Sequence, residues 1–163
     1  MAPDFLTDIF ANPNTEFFGQ LLLAAFLGAL VGIERELAKK TAGMRTFAFV
    51  SLGSALFSII SLHALEWSGA VGAINFDPTR IAAQIVAGVG FIGAGLIIFN
   101  DSKLQGVTTA SGLWLASAIG MAVGFRFYLV AIFTASVTIF IFTFLWSVEE
   151  RVLKKYSSRP VDD

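Results

Sequence analysis

Five long apolar stretches, separated by short connections that hold most of the charged residues, dominate this 163-residue sequence. The stretches cover approximately residues 17–33, 45–65, 81–99, 108–125 and 127–147. At a rise of about 1.5 Å per residue, a helix over each stretch crosses a hydrocarbon core about 30 Å thick, with tilt and snorkelling taking up small differences. Helices satisfy their own backbone polar groups, so the pattern predicts an all-α membrane protein, a bundle of five transmembrane helices in a lipid bilayer. The last two helices require a very tight turn at 124–127.

Composition supports the membrane class and excludes several others. Apolar residues make up 56% of the chain, the mean hydropathy is +0.76, and only 14% of residues are charged, against about a quarter in soluble domains. There are no cysteines, which excludes disulfides, thiolate metal sites and cysteine nucleophiles. The sequence has no nucleotide-binding loop and no catalytic triad pattern. We therefore expect neither enzymatic activity nor a nucleic-acid partner.

Lys and Arg are distributed unequally between the two sides of the predicted membrane domain. With five helices, nine fall on one side and two on the other. The nine are Arg35, Lys39, Lys40, Arg45, Lys103, Arg151, Lys154, Lys155 and Arg159, and the two are Arg80 and Arg126. Because cytoplasmic loops hold the excess of these residues, we expect the amino terminus outside and the carboxyl terminus in the cytoplasm. This gives an outer segment over 1–16, a membrane domain over 17–147 and a basic tail over 148–163.

Small residues recur every four positions along two of the predicted helices. The first helix carries Ala24, Gly28 and Gly32, and the fourth carries Gly112, Ala116, Gly120 and Gly124. Such a face lets two helix backbones approach closely and gain contacts that lipid cannot supply. We expect these two helices to be central and the last helix to face lipid. Contact between copies in a homo-oligomer is the alternative use of the same faces.

The third helix carries an unusual cluster of glycines. Gln84 is followed by Gly88, Gly90, Gly93 and Gly95. Each interior glycine costs about 0.5–1 kcal/mol relative to alanine in water, so the cluster requires a reason. Packing on several sides, local unwinding, or carbonyl groups exposed to coordinate a ligand would each provide one. The spacing is not a dinucleotide fingerprint, because no strand precedes it.

The charged residues of the membrane domain lie at helix ends. Glu34 and Glu36 close the first helix and Arg45 opens the second, so we expect an ion pair between Arg45 and one of the two carboxylates. Glu36 follows Gly32 by four residues, which places it on the small-residue face. Asp77 precedes the third helix, where its carboxylate and the nearby Arg80 are typical of a structural helix start.

Other polar residues give weaker signals. Thr108 and Thr109 begin the fourth helix, and the lone His63 is expected to be an interfacial anchor. No ionisable group lies near the middle of a predicted span, whereas ion-coupled carriers usually place such groups there. Gln84 and the glycine carbonyls are the only buried candidates for Mg²⁺. We therefore expect that the protein has no cofactor. The alternative is that it binds Mg²⁺.

Five motifs in order carry a family resemblance. They are GIERE at 32–36, AGMRT at 42–46, LGSALF at 52–57, DPTRIAAQ at 77–84 and QGVTTASGLW at 105–114. With them, the chain resembles the MgtC/SapB family of bacterial inner-membrane proteins over about 19–128. The candidate functional residues are Glu34, Glu36, Arg45, Asp77, Arg80, Gln84, Gly88, Gly90, Gly93, Gly95, Thr108, Thr109 and Trp114.

The resemblance implies a bacterial plasma-membrane protein linked to magnesium limitation and, in pathogens, to survival inside macrophages. It implies a regulatory role, including restraint of the ATP synthase and effects on membrane potential, although members are often labelled magnesium transporters. The chain resembles the shorter members, which have no cytoplasmic carboxyl-terminal domain.

Two hypotheses follow. In the first, the bundle is a regulatory module that docks on another integral membrane protein through its small-residue faces. In the second, Gln84 and the glycine-rich helix line a path for a divalent cation, with Glu34, Glu36 or Asp101 as an inner vestibule.

Overall fold

The computed structural model describes residues 14–68, 77, 79–100 and 103–148. Most of the expected outer segment, most of the expected tail, and Asp101 lie outside the described residues. The helices are α1 (Asn14–Leu37), α2 (Met44–Ser68), α3 (Thr79–Leu96), α4 (Val107–Gly124) and α5 (Tyr128–Phe140), which continues into a π-helical turn over Ile141–Leu145.

All five helices are long and apolar enough to cross a membrane. The predicted five-helix membrane protein is therefore confirmed, and the span boundaries differ from the prediction by a few residues. The direction in which the bundle crosses the membrane stays a prediction.

The connection between α3 and α4 differs from the prediction. The sequence placed 97–99 inside the third helix, but α3 ends at Leu96 and is followed by an antiparallel hairpin. Its strands, β1 (Ile98–Asn100) and β2 (Lys103–Gln105), pair with Phe99 opposite Leu104. Asn, Asp and Ser at 100–102 of the sequence are turn formers, a signal that the hydropathy pattern alone does not use.

The predicted tight turn between α4 and α5 is confirmed. Only three residues connect the helices, and the Phe127 amide donates to the carbonyl of Ala122 at 2.7 Å. Arg126 adopts a φ of 66°, a left-handed conformation that is uncommon for a residue with a side chain. The turn brings α5 back alongside α4.

The core lies where α1 and α4 pack on α2 through their glycines. A Cβ atom on Gly28 would lie 2.6 Å from the carbonyl oxygen of Phe47, and one on Gly124 would lie 2.7 Å from that of Ala55. A Cβ on Gly120 would collide with the main chain of Ser51. The predicted close approach is therefore present. The sequence prediction named α1 and α4 as central but missed α2, against which both small-residue faces pack.

Helix α2 contributes a buried row of serines, namely Ser51, Ser54, Ser58 and Ser61. The Ser51 hydroxyl donates to the carbonyl of Ala24 on α1 at 2.7 Å. The Ser54 and Ser117 hydroxyls lie 2.9 Å apart and link α2 to α4. Small polar residues of this kind join helices where lipid gives no hydrophobic driving force.

Helices α3 and α5 lie at the edge of the bundle. Three residues of α3 are buried, namely Ile85, Val89 and Gly93. In α5 the buried residues are Ala131, Ala135 and Thr138, and Phe142 continues the same face into the π-helical turn. The prediction that the last helix mainly faces lipid agrees with this placement.

Candidate functional site

Arg35 is the central polar residue at one end of the bundle. We call this the basic end, and among the described residues it comprises 34–45, 97–100, 103–109 and 141–148. Only 4% of Arg35 is exposed. Its guanidinium pairs with the carboxylate of Glu34, and its Cζ lies 3.8 Å from the centroid of the Phe142 ring. The ion pair and the ring together compensate the burial of the charge.

The expected ion pair between Arg45 and a glutamate is wrong. Arg45 is exposed and makes no ion pair with another described residue. Glu36 instead accepts a hydrogen bond from the Met44 amide at 2.9 Å. The first amides of a helix have no internal acceptor, so this carboxylate satisfies one at the start of α2. A Cβ on Gly43 would lie 2.7 Å from a carboxylate oxygen of Glu36, so a glycine leaves room for the bond.

A cleft of about 380 Å³ opens at the basic end between α1, α4 and the end of α5. It is lined by Arg35, Lys40, Leu104, Gly106, Val107, Thr108, Thr109, Ile141, Phe142, Leu145 and Trp146. The structure thus brings together the predicted candidates Thr108 and Thr109 with Arg35. Thr108 is exposed, whereas Thr109 is buried. We call this the basic-end cleft.

A second cleft, of about 640 Å³, separates α2 from α3. Its lining is mostly apolar and consists of Phe49, Val50, Gly53, Ser54, Phe57, Ile81, Gln84, Ile85, Gly88, Val89, Phe91 and Ile92. Gln84 is exposed, so the expectation that this residue is buried is wrong. The reason is that α3 lies at the bundle edge, with one narrow face inward.

The glycine cluster of α3 is explained only in small part by packing within the chain. A Cβ on Gly88, Gly90 or Gly95 would meet nothing within 4 Å, and one on Gly93 would be in ordinary contact with Ala110 at 3.7 Å. The helix runs without interruption to Leu96, so local unwinding, one of the three explanations considered for the cluster, is not present.

On its other side, α3 forms a third cleft with α4, of about 530 Å³. Trp114 lines this cleft together with Gly90 and Gly93 and is about half exposed. The glycine-rich helix therefore has an open cleft on each side.

The predicted cap of α3 is confirmed at the opposite end of the bundle. Asp77 accepts hydrogen bonds from the amide and the hydroxyl of Thr79, at 2.9 and 2.6 Å. The hydrogen bond from the Thr79 hydroxyl has the largest effect and lowers the pKa of the Asp77 carboxyl below its usual 3.8. The hydrogen bond from the Thr79 amide lowers this pKa further, and the charge of Arg80 adds a smaller effect. Arg80 itself is exposed. His63 packs edge-on against Phe17, with ring centroids 4.8 Å apart.

Two buried polar residues of α1 were missed as candidates. Gln20 is 3% exposed, and its amide nitrogen donates to the Tyr128 hydroxyl at 2.9 Å. Gln20 and Arg35 lie on the same helical face as Ala24, Gly28 and Val31, with spacings of three and four residues. Extending the small-residue pattern in both directions would have found them.

In the described part of the chain, no three His, Asp or Glu side chains come close enough to hold a metal ion.

Comparisons with known proteins give a consistent result. The profile of the MgtC family matches residues 21–151. The chain is 38% identical to YhiD of Escherichia coli K12 over 142 residues, 87% of this chain and 66% of YhiD. It is 37% identical to SapB of Bacillus subtilis over 110 residues, 67% of this chain and 47% of SapB.

A third relative is MgtC of Salmonella typhimurium, 42% identical over 104 residues, 64% of this chain and 41% of MgtC. The chain thus spans less than two thirds of the length of these relatives. No solved structure matches it significantly. The resemblance predicted from the motifs is confirmed, and the chain belongs to the MgtC family.

Proposed function

We propose that this protein is a non-enzymatic regulator in magnesium homeostasis that acts by docking on another integral membrane protein of the bacterial plasma membrane. The observation that carries the proposal is the open space around three glycines of α3. Gly88, Gly90 and Gly95 have no neighbour where a side chain would begin. Glycines inside a helix weaken it, and packing among the described residues accounts only for Gly93.

A transmembrane helix of a partner in the cleft between α2 and α3 would account for Gly88, which lines that cleft, whereas Gly90 lines the cleft on the other side of α3. Glycine faces allow helix axes to approach closely in a membrane, where dispersion contacts drive association. The cleft between α2 and α3 has aromatic walls from Phe49, Phe57 and Phe91, and its predominantly apolar lining suits an apolar helix better than a hydrated ion. The link to magnesium rests on membership of the MgtC family.

Cation transport is the second candidate function. It is favoured by the name of the relative YhiD, a candidate magnesium transporter, and by Gln84 in the open cleft. Two observations weigh against it. The core interface is filled by main-chain contacts at Gly28 and Gly120, and the basic-end cleft is lined by Arg35 and Lys40, which repel cations.

The docking proposal is tested by filling the cleft. Gly88→Phe adds a ring at a cleft-lining position whose Cβ would have no atom within 4 Å, and Leu129→Phe is a matched control on α5, where Leu129 is 84% exposed. In a host whose growth under magnesium limitation depends on this protein, we expect Gly88→Phe to abolish growth and Leu129→Phe to have no effect. The unfolding temperature of both purified variants should match the parent. Normal growth with folded Gly88→Phe would refute docking at this cleft.

The partner is identified by a photo-reactive amino acid introduced at Gly88 and, as control, at Leu129. We expect a crosslinked product at position 88 that contains another membrane protein and is lost in Gly53→Phe, which fills the cleft from α2. A product at twice the 17.5 kDa mass of this chain would show that the occupant is a second copy. That result would overturn the proposal of a different partner.

A further inference from the structure

The basic-end cleft has the features of an anion site. We propose that it binds a phosphate group, carried either by a phospholipid head group or by free inorganic phosphate. This inference does not depend on docking at α3, because it concerns different residues at the end of the bundle.

Helix α4 provides the first set of donors. The Ala110 amide donates to the Gly106 carbonyl at 2.9 Å, which is the first internal hydrogen bond of the helix. The amides of Val107, Thr108 and Thr109 precede it and have no acceptor within the helix. Gly106 has a φ of 89° and no side chain to cap them. All three residues line the cleft, where the positive end of the helix dipole favours an anion.

Thr109 provides an independent indication of a ligand. It is only 3% exposed, yet its hydroxyl makes no hydrogen bond with another described residue. This hydroxyl, unpartnered among the described residues, is not fully enclosed by protein atoms. It therefore retains access to the cleft that Thr109 lines. A threonine at this depth usually bonds to the carbonyl four residues earlier, as Thr138 does with Thr134 at 2.7 Å. Thr109, in the first turn, has no such internal carbonyl and instead faces the cleft.

The charges around the cleft favour an anion. Glu34 neutralises Arg35 through the guanidinium Nε, so the terminal nitrogens of Arg35, which have no described partner, still offer donors to the cleft. Lys40 adds an unpaired positive charge among the described residues, and the lining includes no carboxylate. Arg can present two parallel donors to a phosphate, while Lys acts as a point charge.

The shape of the cleft accommodates both sources of the phosphate group. Leu104, Leu145 and Trp146 are each more than half exposed and form its apolar rim. Tryptophan is typical of the membrane interface. A phospholipid could place its phosphate at α4 and its glycerol and chains along this rim, whereas free phosphate would use only the polar floor.

The test measures ligand-dependent shifts in unfolding temperature of the purified protein in a neutral detergent. The probes are inorganic phosphate, a short-chain phosphatidylglycerol, and chloride at matched ionic strength. We expect a saturable increase with one or both phosphate probes and none with chloride. Thr109→Val keeps the side-chain volume but removes the hydroxyl, and should weaken binding about tenfold, as expected for a hydrogen bond to a charged group. Lys40→Gln should weaken it about fivefold and reduce its salt dependence.

Thr138→Val is the matched control, since Thr138 is also buried but bonds to its own helix away from the cleft. It should bind like the parent. Binding of phosphatidylglycerol alone would identify a lipid site, and binding of both probes with similar affinity would identify a phosphate site. The proposal is overturned if neither probe shifts the transition, or if Thr109→Val and Thr138→Val bind alike.

Discussion

Helices α3 and α4 are both rich in small residues, yet their glycines have opposite surroundings. In α4, Gly120 and Gly124 press against α2, so that a side chain at either position would collide with the main chain of α2. In α3, Gly88, Gly90 and Gly95 face open space. Glycines thus serve internal packing in one helix and leave an unoccupied surface in the other. A glycine pattern in a membrane sequence predicts close approach, but not which chain approaches.

The largest contrast is expected between Arg35, buried near the end of α1, and Arg80, exposed at the start of α3. Arg35→Ala removes the partner of Glu34 and the cation over Phe142, and should lower the free energy of unfolding by about 3 kcal/mol or more, as expected when a buried charge loses its partner. Arg80→Ala, at the exposed start of α3, should change it by less than about 0.5 kcal/mol. Denaturant unfolding in mixed micelles measures both, and equal effects would contradict the burial of Arg35.

A matched pair of glycine substitutions tests the comparison directly. Gly120→Ala places a methyl group on the main chain of Ser51 and should destabilise the protein by about 1–3 kcal/mol. Gly88→Ala meets no atom within 4 Å and should stabilise it by up to about 1 kcal/mol through helix propensity. The same unfolding measurement applies. A destabilised Gly88→Ala would mean that the free chain already packs against this face.

Serine substitutions compare a bond between helices with a bond inside one helix, and should change the free energy of unfolding by a smaller amount. Ser51→Ala removes the hydrogen bond from α2 to the Ala24 carbonyl and should cost about 0.6–1 kcal/mol. Ser136→Ala, on the exposed side of α5, removes a bond within one helix and should be nearly neutral. If the two variants unfold alike, the serine row does not link the helices.

The smallest expected effect concerns pH at the start of α3. The folded-state pKa of Asp77 is lowered by its hydrogen bonds to Thr79. The resulting stabilisation is therefore complete above the usual pKa of 3.8 and is lost as pH falls through the lowered value. The protection of the Thr79 amide against hydrogen exchange, measured relative to its intrinsic rate at each pH, should fall at low pH, and Asp77→Asn should remove this dependence. Unchanged protection in the parent would contradict the cap.

Much of the architecture was predictable because hydropathy and spacing act locally. The five spans, the turn at Arg126 and the cap at Asp77 each depend on short-range signals. The partner of Arg45 was mispredicted because proximity in sequence does not reveal that a helix start, here the Met44 amide, competes for the same carboxylate. Gln84 was misplaced because periodicity along α3 does not specify how many neighbours the helix has. The serine row of α2 was available as a small-residue pattern but was overlooked beside the glycines.

The central claim is that the protein docks on a partner and does not itself conduct cations. Magnesium and proton flux into liposomes containing the purified protein tests it most directly, with Gln84→Leu measured in parallel. We expect flux no greater than in empty liposomes from protein shown to be folded. Saturable magnesium flux that is lost in Gln84→Leu would contradict the account and identify the cleft between α2 and α3 as a transport path.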